Sequence, residues 1–251
     1  MEKGALLLAS YGTTHDDARS RGLDVLEREL TAAFPLRELV TAFTSAKVLR
    51  AVEARGDRVA SVGEACAALA DRGFDDIVVL PALVTFGGSH DAIVRACAPF
   101  PQARIASPLL ADARDARVLA EILSGRHPRI GGEVLVLVGH GSGEQAEAAF
   151  ALLQEAFRAL GRDDALVSTL HVEGGAEGLA GMLPAGTLRV RLVPLLLTAG
   201  SHVRMDLLGD GASSWASRLR AAGFAVDCIE EGLSEIGAVR QLFMTHARES
   251  C

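Results

Sequence analysis

Short apolar runs alternate along the chain with longer segments whose apolar residues fall at helical spacing. Residues 5–9 form a continuous apolar run of strand length, and residues 17–33 follow with Leu23, Leu26 and Leu30 on one helical face. That pair predicts a βα unit. Residues 39–43 predict another short strand, and Ser61-Val62-Gly63-Glu64 reads as a capping box opening a helix that runs to about Asp71. Residues 77–84 then form a buried strand running into Phe86-Gly87-Gly88-Ser89-His90, where the next helix begins. A strand over 105–109 and a helix over 112–123 lead to Ser124-Gly125-Arg126-His127-Pro128-Arg129, the best linker in the chain.

The pattern then restarts. A strand over 134–138 precedes a second capping box, Ser142 with Gln145, and a helix over 146–160. Residues 166–170, 188–193 and 225–229 supply further strands, and 213–222 and 237–247 further helices. Trp215 is expected to serve mainly in helix packing. The restart is a repeat of residues as well as of texture. Leu6-Leu7-Leu8-Ala9-Ser10-Tyr11-Gly12-Thr13 lies over Leu135-Val136-Leu137-Val138-Gly139-His140-Gly141-Ser142, with Tyr11 opposite His140. The segment from Val79 through Pro81 and Thr85 to Ser89-His90 matches the one from Leu192 through Pro194 and Thr198 to Ser201-His202, with one extra residue in the first copy. Two anchors in one order predict an internal duplication. The expected fold is α/β: two similar flavodoxin-like or Rossmann-like domains, 1–127 and 128–251, each a mainly parallel sheet of about four strands flanked by helices.

Composition narrows the function classes. A chain of 251 residues permits either one large domain or two small ones, with core enough to need no disulfide or structural metal. The net charge of −7 and pI near 5.5 disfavour a nucleic-acid partner. Only Lys3 and Lys47 are lysines, so nearly all positive charge is guanidinium, which pairs well with planar carboxylates. Cys66, Cys97, Cys228 and Cys251 form no C-x-x-C pair, which reads as a reducing compartment. The amino terminus lacks a signal-peptide pattern and every apolar stretch is strand-sized, so the expectation is a soluble, cytoplasmic protein with no membrane partner.

In a parallel sheet, ligands collect beyond the carboxyl ends of the strands. His140, His202 and Glu173 all follow predicted strands, and two imidazoles with one carboxylate make a first shell for cobalt, iron, nickel or zinc. The glycines flanking His140 are expected to let the chain turn tightly and a bulky ligand approach. His171, two residues before Glu173, would share its face if the segment were extended. His90 opens a helix, where the dipole would disfavour its protonation. His15 is placed either at the same cavity or in a surface loop; His127 and His246 read as peripheral. No G-x-G-x-x-G, Walker loop, G-x-S-x-G elbow, H-E-x-x-H or EF-hand loop is present, so ATP, NAD and serine-hydrolase chemistry have no motif to stand on.

These pieces together resemble the class II chelatases, specifically the anaerobic-pathway sirohydrochlorin cobaltochelatases: Leu8-Ala9-Ser10-Tyr11-Gly12-Thr13, Ala42-Phe43-Thr44-Ser45, Val138-Gly139-His140-Gly141-Ser142, Val172-Glu173-Gly174 and Leu197-Thr198-Ala199-Gly200-Ser201-His202, followed by Asp206 and Ser214-Trp215. The resemblance implies two α/β halves enclosing a cleft and ATP-independent insertion of Co²⁺ into a sirohydrochlorin-type tetrapyrrole. It implies that His140 binds the metal and accepts pyrrole protons, with Glu173 and His202 completing the metal site. Tyr11, Ser89 and His171 would be tetrapyrrole contacts. The family often carries an acidic side chain where this chain has Ser89-His90, and His90 is the candidate substitute. Arg50, Arg95, Arg189 and Arg204 are candidates for the substrate carboxylates. Ferrochelation, a nickel or broad-range chelatase, and a noncatalytic metal or tetrapyrrole carrier stay open as alternatives, as does a homo-oligomer.

Overall fold

The computed structural model describes residues 3–141 and 143–251, so the Ser142 half of the second predicted capping box lies outside the described residues. The chain forms two compact units, Met1–Ala111 with Ser234–Cys251, and Asp112–Leu233. In the first unit, strands β1 (Gly4–Ser10), β2 (Glu38–Phe43), β3 (Ala60–Ser61), β4 (Asp76–Ala82) and β5 (Ala103–Ile105) lie in the order β3-β2-β1-β4-β5, all parallel. The unbroken apolar run of β1 is buried along its whole length, as a central strand covered by helices on both faces requires.

Helix α1 (Asp16–Arg21) and helix α2 (Leu23–Ala33) replace the single helix predicted over 17–33. The break is steric. A Cβ at Gly22 would stand 2.0 Å from the Ser234 hydroxyl, so the chain bends where Ser234 packs. Helix α3 (Ala46–Glu53), capped by the Ser45 hydroxyl accepting from the Val48 N–H, had no sequence prediction. Helix α4 (Val62–Asp71) carries the predicted capping box, with Ser61 and Glu64 each accepting from the other's backbone N–H. Helix α5 (Gly88–Cys97) starts at the Gly-rich turn. The strand expected at 105–109 ends at Ile105; Leu109 and Leu110 are buried instead by donating from their backbone N–H groups to the carbonyls of Leu83 and Val84 in the loop beyond β4.

The second unit opens with helix α6 (Ala113–Arg126), N-capped by Asp112. The first half of the predicted linker, 124–126, is therefore the last turn of this helix, and Arg162 holds its end by donating to the carbonyls of Ser124 and His127. Then come β6 (Glu133–Gly139), α7 (Glu144–Ala159), β7 (Ala165–Thr169), α8 (Gly175–Met182), β8 (Arg189–Leu195), a π-helical turn (His202–Leu207), α9 (Trp215–Ala221) and β9 (Ala225–Cys228). Their order is β7-β6-β8-β9, again all parallel. Trp215 is buried with Val138, Leu192 and Leu207, in the packing role expected of it. Neither α8 nor the π-helical turn was foreseen, because glycine-rich Gly174-Gly175-Ala176-Glu177-Gly178 and the widened turn carry no helical hydrophobic period.

The last helix, α10 (Gly237–Ser250), returns to the first unit, where Arg240 pairs with Glu29 at 2.8 Å. The units thus divide at 111/112 and 233/234 rather than at 127/128. Each half of the chain gives its final helix to the other unit: α6 follows the first half's strands and α10 the second's. Apolar periodicity shows that a helix exists but not which sheet it will cover.

The two sheets match in register. Pro81 pairs with Ala9 of β1, and Pro194 with Val138 of β6. The Thr44 N–H donates to the Ser10 carbonyl at 2.8 Å, and the Leu170 N–H to the Gly139 carbonyl at 2.9 Å. The Leu109 N–H donates to the Leu83 carbonyl, and the Leu233 N–H to the Leu196 carbonyl. These are corresponding atoms under the duplication, which the two-residue strand β3 alone extends in the first sheet. Among the described residues no helix is long and apolar enough to cross a membrane.

Candidate functional site

His140 stands one residue past the end of β6, between two glycines whose Cβ positions are already occupied. A Cβ at Gly139 would lie 2.3 Å from the Phe150 ring, and one at Gly141 would lie 2.2 Å from the Thr169 methyl. Gly141 also takes φ +60, a left-handed backbone that side chains resist. The glycines expected to admit a ligand are therefore explained by the close approach of Phe150 and Thr169. Their effect is to fix where the His140 ring begins.

Two other imidazoles meet it. The His171 ring, from the turn after β7, lies 5.0 Å from His140 between centroids, and the His202 ring, from the start of the π-helical turn after β8, lies 5.1 Å away. Both pairs are edge-to-face. Two imidazoles sharing one tetrahedral ion, with nitrogens about 2 Å from it, have centroids about 5 Å apart, so each pair has that spacing, although the three rings together are not set as a metal ion needs. His202 is held in turn by Asp206, whose Oδ2 lies 2.6 Å from its Nδ1. Both side chains of that pair are about half exposed, so the contact adds little to stability.

The electrostatics favour a neutral His140. Although the side chain keeps an exposed face, partial desolvation pushes its pKa below the ordinary imidazole value, and the neighbouring His202 and His171 push it further; Asp206 acts in the opposite direction. An imidazole so placed is a base at neutral pH rather than an acid. Burial likewise lowers the pKa of His90, opposed by Asp91.

The remaining expected site residues separate. Glu173 is exposed in the turn before α8. Among the described residues no three His, Cys, Asp or Glu side chains stand as a metal ion needs, so Glu173 is not closed onto His140 and His202 in this structure. The extended segment that would have put His171 and Glu173 on one face is absent, because β7 ends at Thr169 and the Val172 N–H turns back to the Thr169 carbonyl. His90, Ser89 and Tyr11 belong to the first unit. Tyr11 is exposed after β1, Ser89 is half-buried, and His90 packs edge-on against Phe86 at 4.7 Å. His15 precedes α1, its N–H bonded to the Thr13 hydroxyl. His127 and His246 are both buried. Arg189 and Arg204 are engaged by Asp227 and Glu230, while Arg50 and Arg95 are exposed. Asp206 is the functional candidate with no assigned role at the sequence level; its spacing of four from His202 was the available signal.

Two parallel α/β units in matching register form the fold seen in solved chelatase structures. The chain is similar to SirB from Bacillus subtilis with Fe³⁺ (TM-score 0.67, 16% identity, 99% of this chain and 95% of that one). It is also similar to the sirohydrochlorin chelatase SirB from Bacillus subtilis subspecies spizizenii in complex with cobalt (TM-score 0.65, 15% identity, 99% and 95%). At that identity the likeness speaks for fold alone. The family model "Cobalt chelatase (CbiK)" matches residues 4–251, and the chain belongs to that family. Among curated proteins, it is 31% identical to the sirohydrochlorin cobaltochelatase of Salmonella typhimurium, over 99% of this chain and 96% of that one. It is 28% identical to the sirohydrochlorin cobaltochelatase CbiKC of Nitratidesulfovibrio vulgaris, over 98% and 90%.

Proposed function

We propose that this enzyme inserts Co²⁺ into sirohydrochlorin, or its oxidised precursor-level form, without ATP, in the anaerobic route to cobalamin. The observation that carries the reading is the convergence of His140, His171 and His202 at the exits of three adjacent strands, in a chain whose relatives bear the name sirohydrochlorin cobaltochelatase. Metal insertion must exchange water on the ion for ring nitrogens and remove two pyrrole N–H protons. A weakly basic, neutral His140 suits the second task and an imidazole donor set open to solvent suits the first.

His140 is assigned as proton acceptor and metal ligand, with His202 and Glu173 as the other donors. The carboxylate of Glu173 sits in the same turn as His171 and approaches when the ion binds. His171 and Tyr11, with Ser89, contact the tetrapyrrole. His90, kept neutral by burial, is the second proton acceptor in place of the acidic residue. A cytoplasmic setting is supported by Cys66 and Cys97, buried thiols whose sulfurs lie 3.9 Å apart.

The test is anaerobic purification followed by spectral metallation of sirohydrochlorin with Co²⁺, Fe²⁺ and Ni²⁺, with and without ATP. Co²⁺ turnover above the uncatalysed rate and indifferent to ATP is the expected result. No turnover with any metal would sink the reading, and preference for Fe²⁺ at matched free-metal concentration would turn it to siroheme formation. Retained activity in His90→Ala beside lost activity in His140→Ala would remove His90 from the mechanism and keep His140.

A further inference from the structure

We infer that Asp206 is a positioning residue that fixes the tautomer and aim of the His202 ring for the incoming divalent ion; the inference rests on His202 being a metal donor as proposed above. The Asp206 Oδ2 lies 2.6 Å from Nδ1 of His202. A carboxylate oxygen has only lone pairs to offer, so the hydrogen in that contact belongs to Nδ1. In the neutral ring this leaves the lone pair on Nε2, the nitrogen turned away from Asp206. Without such a partner an imidazole in water divides between its two tautomers and favours the one with hydrogen on Nε2, which blocks that donor.

The backbone is shaped for this pair. The Leu208 N–H reaches the Val203 carbonyl at 2.8 Å, five residues back, while the Arg204 N–H reaches the Gly200 carbonyl at 3.0 Å, four back, so the turn widens between them. Val203 and Leu207 are fully buried and anchor one side of the widened turn in the core. Their neighbours His202 and Asp206, also four apart, are then held together on the solvent side. At 52% and 54% side-chain exposure the pair adds little to stability, so a short, aligned contact there is not accounted for by folding alone. Orientation of a metal-binding imidazole through its other nitrogen is the role this geometry serves.

The test uses the full-length metal-free protein. Long-range ¹H–¹⁵N NMR of His202 is expected to show the Nδ1–H form dominating in the wild type and the Nε2–H form growing in Asp206→Ala. The dissociation constant for Co²⁺ alone is expected to rise on the order of 10–100-fold in Asp206→Ala, and Asp206→Glu should recover most of both signals. His202→Ala is measured alongside. If it leaves Co²⁺ affinity intact, the donor assignment itself fails, and the positioning role with it. If His202→Ala weakens binding but Asp206→Ala keeps the wild-type tautomer, the positioning role is overturned while the donor assignment stands, whether or not loss of the charge changes affinity.

Discussion

The first unit carries at Tyr11-Gly12 the same backbone turn that the second carries at His140-Gly141. Gly12 has φ +89 and Gly141 φ +60; a Cβ on Gly12 would strike the Phe43 ring at 2.7 Å, and one on Gly141 the Thr169 methyl at 2.2 Å. Phe43 and Thr169 are themselves corresponding residues, the partners of Ser10 and Gly139 at the ends of β2 and β7. The scaffold is therefore duplicated down to the contact that shapes the loop, yet the chemistry is not. Where the second unit has His140, His171 and His202, the first has Tyr11, Ser45 and His90. Ser45 is occupied in capping α3, and His90 is turned against Phe86, where the second copy has Ala199. A strand exit offers a position for a functional group, and at these exits the two units differ in three side chains.

The comparison breaks most sharply at the Tyr11/His140 pair. His140→Ala should lower Co²⁺ insertion by on the order of 10²–10⁴-fold, the range for loss of a proton-transfer group. Tyr11→Ala should act mainly on KM for the tetrapyrrole and leave kcat within several-fold. Steady-state metallation of both variants checks this; equal losses in kcat would show that the halves share the chemistry.

Next come the loop glycines. Gly141→Ala adds left-handed strain and an overpacked contact with Thr169, about 2–4 kcal/mol together. Gly12→Ala should cost a similar amount against Phe43. Urea denaturation is expected to show both losses, while Co²⁺ titration of the folded variants should be weakened only by Gly141→Ala. Equal affinities would mean that this turn does not set the His140 ring.

Acid should expose a third difference, since α6 and α10 end on His127 and Cys251 at corresponding positions. His127 is 5% exposed, its Nε2 has no hydrogen-bond partner among the described residues, and burial pushes its pKa down to about 4. Between that value and the unfolded 6.5 the unfolded chain binds a proton that the folded chain refuses, so stability falls as pH drops through this window. The loss amounts to about 3 kcal/mol at most. His127→Leu should flatten that part of the stability–pH curve; an unchanged slope would assign it to other groups.

The smallest effect is at a helix cap. Ser61→Ala removes the hydroxyl half of an exposed capping box and should cost about 1 kcal/mol, read as a shift in Tm. Ser214→Ala, whose buried hydroxyl both caps α9 through the Ser217 N–H and donates to the Gly209 carbonyl, should cost more and disturb the π-helical turn beside it.

Much of this was legible along the chain. The strand cores, the Ser61-Glu64 box, the packing role of Trp215 and the two duplicated anchors depend on residues within a few positions of each other, and their patterns survive without a fold. The Gly22 break did not, because Ser234 lies over two hundred residues away. Nor did the burial of His127, which depends on Arg162 reaching across to the end of α6.

The amino-acid sequence by itself determined a duplicated parallel α/β chain with histidines placed at strand exits, since period and residue type are local properties. Tertiary structure alone decided that His140 meets His171 and His202, that Glu173 is not closed onto His140 and His202, and that each half's last helix belongs to the other unit. Those outcomes depend on which surfaces pack together, and packing is settled by contacts between residues that no local pattern brings side by side.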